Sequence, residues 1–184
     1  MSILNNNKTF FIFLAKFGLS YLILSVLYWL YLNQFDAAAM EADSMTHLVT
    51  NQTGYVVHFL GEKASMRPRF SIPAYKFFVN GKAVATIIEG CNAVSVMILF
   101  TAFIVAFSTT FKRTALYIIA GVIIIHILNV IRIGLLCVGI YYYPEYREVL
   151  HDIIFPIVIY GVVFVLWVAW VTKFSGNAKK VPVK

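Results

Sequence analysis

Ile87-Ile88-Glu89-Gly90-Cys91-Asn92-Ala93 is where a polar segment ends and a long apolar run begins. The run from Ala93 to Phe111 is almost wholly apolar and stops at Lys112-Arg113. A spanning helix needs about 20 mostly apolar residues, so this run reads as a membrane crossing with Cys91 at its mouth. On the other side, Tyr75 to Val79 and Lys82 to Ile88 flank Asn80-Gly81. Asn-Gly between two β-prone runs is a strong hairpin signal. The thiol is therefore expected where a strand hands the chain over to a membrane helix.

The same apolar character recurs along the chain. Of its 184 residues, 61% are hydrophobic and 12% charged, against about 45–50% and 25% in a soluble domain. Phe10 to Leu32 is apolar except for Lys16, which can snorkel to a membrane surface. This run exceeds the roughly 7–15 apolar residues of a cleavable leader and reads as a retained first crossing. Cleavage near Ala37-Ala38-Ala39 is the alternative. Asn33 to Gly90 is polar: Ala37 to Leu60 can form one or two helices, and Arg67-Pro68 and Ile72-Pro73 punctuate an extended piece. Thr114 to Tyr143 is a third crossing, closed by the interfacial aromatics Tyr141-Tyr142-Tyr143. After the loop Glu145 to Asp152, Ile153 to Phe174 is the fourth, with Pro156 in its first turn, where a missing N–H costs little. The expected fold is an all-α transmembrane bundle of four spanning helices, with a β-hairpin in a small extracytoplasmic region before the second. It forms one integral membrane domain over 1–184, with the extracytoplasmic segment at 33–90 and core helices over 93–174.

Charge placement sets the orientation. With the N-terminus in the cytoplasm, four crossings leave Lys8, Lys16, Lys112, Arg113, Lys173, Lys179, Lys180 and Lys184 inside, and all 8 acidic residues outside. Basic bias orients membrane proteins, so both termini are expected in the cytoplasm. The net charge of +7 is spent on this asymmetry rather than on a clustered basic face, and no nucleic-acid partner is expected. The 2 cysteines, Cys91 and Cys137, form no CxxC pair. Zinc-ligand spacing and a dithiol motif are both missing, and no metal or cofactor is expected.

This threading brings three polar residues to one depth. Cys91 opens the second helix and His151 the fourth, both from the outer side. Arg132 lies about 27 Å from the inner end of the third helix at 1.5 Å per residue, near the outer edge of a core about 30 Å thick. A thiol at a helix N-terminus sits in a field that favours an anion. A histidine beside it can take its proton and return it to a leaving amine, and a fixed arginine can stabilise an oxyanion. Asn129 shares a helix face with Arg132 and can orient it or bind substrate backbone. Glu89 can orient His151 or Arg132, or simply be exposed. Taken singly, each has a plainer reading: a buried small hydrophobe for the cysteine, a snorkelling arginine, a solvated loop histidine. Cys137 is read as packing, with a disulfide to Cys91 as the alternative in an oxidising compartment. His126 is read as a polar contact between helices, and His47 and His58 as surface residues.

At these positions the chain resembles the exosortase/archaeosortase family of membrane cysteine transpeptidases. The family pattern has a Glu-small-Cys motif opening one helix, Asn-x-x-Arg in the next and a His opening the one after. Glu89-Gly90-Cys91, Asn129-Val130-Ile131-Arg132 and His151-Asp152 match it in that order. The strand-Gly-strand run from Phe77 to Ile88 is also similar, and the resemblance covers about Tyr75 to Trp170. It implies Cys91 as nucleophile, Arg132 as oxyanion stabiliser and His151 as acid/base; beside them, Glu89, Asn129 and Asn92 are read as supporting residues or as binding substrate. The implied substrates are exported proteins whose C-terminal sorting signal comprises a short motif, a spanning helix and a basic tail. They would be transferred to an envelope anchor, a lipid or a glycolipid, on the outer side of a bacterial cytoplasmic membrane. Asn92-Ala93 stands where many members have Ser-Gly, and the helix count matches the short, minimal type. Two other readings stay open: a non-enzymatic subunit of an envelope assembly or polysaccharide export system, and thiol–disulfide exchange, which the missing cysteine pair disfavours.

Overall fold

Helix formation follows the apolar runs, and polar residues decide where each helix stops. The computed structural model describes residues 8–35, 41–69 and 71–174. Its helices are α1 (Lys8–Leu32), α2 (Ser44–Phe59), α3 (Val94–Ala106), α4 (Phe111–Tyr142) and α5 (Phe155–Ala169). Wide π turns over Val149–Ile154 and Trp170–Phe174 extend α5 at both ends. Three helical stretches are long and apolar enough to cross a bilayer: Phe10–Leu32, Phe111–Tyr142 and Val149–Phe174. Asp36, the tripeptide Ala37-Ala38-Ala39, Lys179, Lys180 and Lys184 lie outside the described residues.

The second predicted crossing, drawn from Ala93 to Phe111, is shorter than expected. α3 has 13 residues, or about 20 Å at 1.5 Å per residue, roughly two-thirds of a hydrocarbon core. Its C-terminal end is cut by Ser108-Thr109-Thr110. Thr110 is extended and precedes α4, and the Thr109 N–H donates to Thr114 Oγ1 at 3.2 Å. Hydroxyl side chains offer the backbone partners outside the helical ladder, so α3 turns back into α4 at this point.

Contacts fix the sense of each helix. Phe13 of α1 meets Phe103 and Phe107 of α3, while Tyr28 meets Asn92, so α1 and α3 are antiparallel. In the same way Phe100 faces Tyr117, and Tyr117 faces Trp170 and Phe174. Lys8, Lys112, Arg113 and Lys173 thus collect at one end of the bundle. Because α1 also reaches Glu89 through Tyr28, cleavage after this helix would strip a contact from the Cys91 turn. The core between α3, α4 and α5 is built on Met97, Phe100, Ile104, Ile125, Val163 and Trp170. A methyl at Gly121 would collide with the Phe100 ring, which is why a glycine stands there: small residues let membrane helices approach closely.

The opposite end carries α2 and a three-stranded antiparallel sheet in the order β1-β2-β3: β1 (Ala64–Pro68), β2 (Ala74–Val79) and β3 (Lys82–Ile88). Asn80 and Gly81, at φ 50° and 80°, make the predicted two-residue hairpin turn. β1 is an addition to the expected hairpin. Its Pro68 suits an edge strand, where one N–H is not needed. α2 starts at Asp43, whose side chain accepts from the Thr46 N–H at 3.0 Å. It buries Thr46, Val49, Thr50, Thr53 and Val57 on one face. Thr50 and Thr53 return their hydroxyls to the carbonyls of Thr46 and Val49, which satisfies them in an apolar setting. The resulting core joins Val49 and Val57 to Phe77, Ile87, Ile133 and Leu136, with Cys137 fully buried among them. Cys137 is a packing residue, and both cysteines are free thiols. His126 meets Gln52 at 2.7 Å, the interhelical contact read from the sequence, and His47 and His58 are exposed.

Candidate active site

β3 delivers the chain to the site. After Ile88 the backbone tightens into one 3-10 turn, Glu89–Cys91, and Ala93 takes a left-handed conformation at φ 62° before α3 begins at Val94. Cys91 therefore sits ahead of the helix rather than on its first turn. The first helical N–H, that of Val94, is already taken by Asn92 Oδ1 at 2.9 Å. Asn92 is 1% exposed and also donates to the Tyr28 hydroxyl at 3.0 Å. It anchors the turn to α1 and is absent from the lining of the Cys91 cleft. Glu89 likewise differs from the expectation that it orients His151 or Arg132. Its Oε1 accepts from the Tyr28 hydroxyl at 2.7 Å, on the side of the turn away from the thiol. The physical reason is the turn itself, which sends Glu89 toward α1 and Cys91 toward α4.

On the α4 side a single amide links two of the expected residues. Asn129, fully buried, donates from Nδ2 to the Cys91 carbonyl at 2.8 Å and accepts at Oδ1 from Arg132 Nη1 at 3.1 Å. A polar side chain in an apolar helix needs such partners, and this one uses both of its faces. The Arg132 guanidinium carbon lies 6.0 Å from the Phe155 ring centroid at the start of α5, and Nε has no partner among the described residues. The guanidinium is thus held from two sides and keeps donor capacity in reserve.

His151 stands on the π turn that leads into α5, exposed, with Nδ1 2.6 Å from Asp152 Oδ1. A carboxylate at Nδ1 fixes the imidazole tautomer and leaves Nε2 free to exchange a proton. Asp152 was quoted in the sequence motif without a role; the structure makes it the partner of His151. Cys91, Arg132 and His151 line one cleft of about 70 Å³, closed on one side by β3. Arg147 lines it too, a residue that sequence reasoning passed over. The available signal was its spacing: it lies four residues before His151 in helical backbone, which puts the two on one face. The cleft is lined by two arginines and a histidine. The far side of the turn is acidic, with Glu41, Asp43 and Glu89 around a separate cavity.

A half-buried thiol, an arginine tethered to the thiol's own backbone and a carboxylate-paired histidine make a set suited to acyl transfer. Residues 9–172 match the family model of transmembrane exosortases. The chain belongs to the exosortase family. The matched region takes in α1 as well as the three motifs. It is an integral membrane protein, and family membership implies cysteine transpeptidase chemistry. No curated protein and no solved structure matches the chain.

Proposed function

We propose that this exosortase is a membrane-embedded cysteine transpeptidase or endopeptidase that cleaves the C-terminal sorting signals of exported proteins. The observation that carries the reading is the shared cleft of Cys91, Arg132 and His151, each from a different element. In the first step His151 Nε2 accepts the Cys91 proton, and Sγ attacks the scissile carbonyl to form the S–C bond. Arg132 stabilises the resulting oxyanion. The C–N bond then breaks, the leaving amine takes the proton from His151, and a thioester to Cys91 remains. In the second step an acceptor nucleophile gives its proton to His151 and attacks the thioester; the C–S bond breaks and the thiol is restored. An amine or hydroxyl on a lipid or glycolipid gives transfer, and water gives hydrolysis.

Four crossings with both ends cytoplasmic fit the gathering of Lys8, Lys112, Arg113 and Lys173 at the end opposite the cleft, since basic residues stay on the inner side. The Glu89–Cys91 turn then sits at the outer mouth of the short α3, with β3 beyond it. The cleft faces outward in the cytoplasmic membrane, where exported substrates arrive. The test is processing of exported proteins in cells carrying Cys91→Ala. Processing should stop while the protein remains folded in the membrane; unchanged processing would remove the enzyme reading. Arg132→Lys keeps a charge but not the planar fork and should lower the rate about 10²–10³-fold, as loss of an oxyanion donor does.

A further inference from the structure

One wall of the cleft is β3. Val84, Ala85, Thr86 and Ile87 are consecutive residues of β3, and all four border the cavity. Val84 is the extra residue of a β-bulge, unpaired between Ala83 and Ala85; below it Ala85, Thr86 and Ile87 are consecutive, and because successive side chains of a strand point to opposite faces, a cavity bordered by all three runs along the strand's edge. β3 is the last strand in the order β1-β2-β3, and among the described residues no strand covers its outer edge. Such an edge presents unpaired N–H and C=O groups, a template for another extended chain. The sheet's other edge is blunted in the usual way, with Arg67 and Pro68 in β1. β3 has no proline, and its one charge, Lys82, lies at the end remote from the thiol.

The strand also has a direction. Lys82 Nζ lies 5.8 Å from the Tyr141 ring centroid near the outer end of α4, whereas the Cys91 carbonyl is bound by Asn129 about 18 Å lower on the same helix. β3 therefore descends from the outer end of the bundle to the nucleophile.

We propose that β3 is the substrate-docking strand: the extended segment N-terminal to the scissile bond adds to its open edge as a fourth strand, parallel to β3, and so brings its carbonyl to Cys91. This inference rests on the function proposed above and adds the mode of recognition. The parallel sense follows from the chemistry. The part retained on Cys91 as a thioester is N-terminal to the broken bond and belongs to the exported body of the substrate. It enters at the outer end, beside Lys82, and runs inward with β3. Main-chain pairing supplies affinity with little regard to sequence, and side chains at alternate positions supply the specificity.

The first arm of the test alters only the substrate. The probe is an exported protein whose C-terminal helix is removed by the wild-type chain and retained with Cys91→Ala. Proline is placed at each residue upstream of the scissile bond in turn, then alanine at the same positions. Because alternate N–H groups of an added strand point at its neighbour, proline should slow processing about tenfold or more at every second position, the effect of one lost hydrogen bond, and alanine should be tolerated. In a second arm, disulfide trapping reads the direction: Ala83→Cys should capture a substrate position farther from the scissile bond than Thr86→Cys does. Uniform sensitivity to proline, alanine losses equal to those of proline, or the reverse trapping order would overturn the docking strand and leave the chemistry of Cys91 standing. Processing that survives Cys91→Ala would overturn both.

Discussion

Asn129 and Ala93 control the site without touching a reacting atom. Asn129→Ala removes the donor to the Cys91 carbonyl and the acceptor for Arg132. Two hydrogen bonds at about 1 kcal/mol each should lower the thermal midpoint by several degrees. The rate should fall further than this stability loss requires, because the thiol and the guanidinium lose their common reference. Asn129→Asp keeps the acceptor and should recover part of the rate, a split that a purely structural asparagine would not give. Ala93 holds a conformation, at φ 62°, that costs an L-residue about 1 kcal/mol. Ala93→Gly should leave the unfolding midpoint unchanged or raised, and Ala93→Val should lower both midpoint and processing, since a β-branched residue resists that region. That Arg132 and His151 would share a cleft with Cys91 was legible in the sequence, because the threading of the apolar runs put all three at one depth. Arg147 was not, because Glu145, Tyr146 and Glu148 surround it with polar neighbours that hide it. The sequence left the role of Glu89 open, and its contact with Tyr28 depends on the approach of α1, which no local pattern announces.

At the scale of elements, periodicity and turn chemistry found the hairpin, and Asn80-Gly81 placed it to the residue. β1 escaped because Met66-Arg67-Pro68 carries little strand signal of its own; pairing with β2, from Ala64↔Val79 to Pro68↔Tyr75, makes it a strand. The length of α3 escaped because Ser108-Thr109-Thr110 is mild enough in hydropathy to be read through. The link between α2 and β1 gives a pH prediction. The Tyr142 hydroxyl and the Asn80 amide both donate to Glu62 and hold its carboxyl below the usual carboxylate range. A lowered folded-state value means that the stabilisation is complete above the unfolded value of about 4.3 and is lost as pH falls through the lower folded value. The wild-type thermal midpoint should therefore drop more steeply on acidification below about pH 4 than that of Glu62→Gln; parallel acid limbs would show that the contact contributes nothing.

For the whole molecule, the asymmetry of charge in the sequence corresponds to the gathering of Lys8, Lys112, Arg113 and Lys173 at one end of the bundle. It could not reveal that α2 packs against α4. That packing depends on Gly134, where a methyl would come within 2.5 Å of Val56 Cγ1 and 2.9 Å of its Cβ. Gly134→Val should separate the two helices and reduce both thermal stability and processing, read by unfolding in detergent. The bundle and the sheet thus form two cores that meet at the Cys91 turn. The most direct measurement is the intact mass of the chain after acid quenching at early times with a processed substrate. A hydroxylamine-labile adduct on Cys91, carrying the mass of the exported body and absent from Cys91→Ala, is the predicted result. Continued processing with no adduct at Cys91, or with an adduct on Cys137 alone, would contradict it.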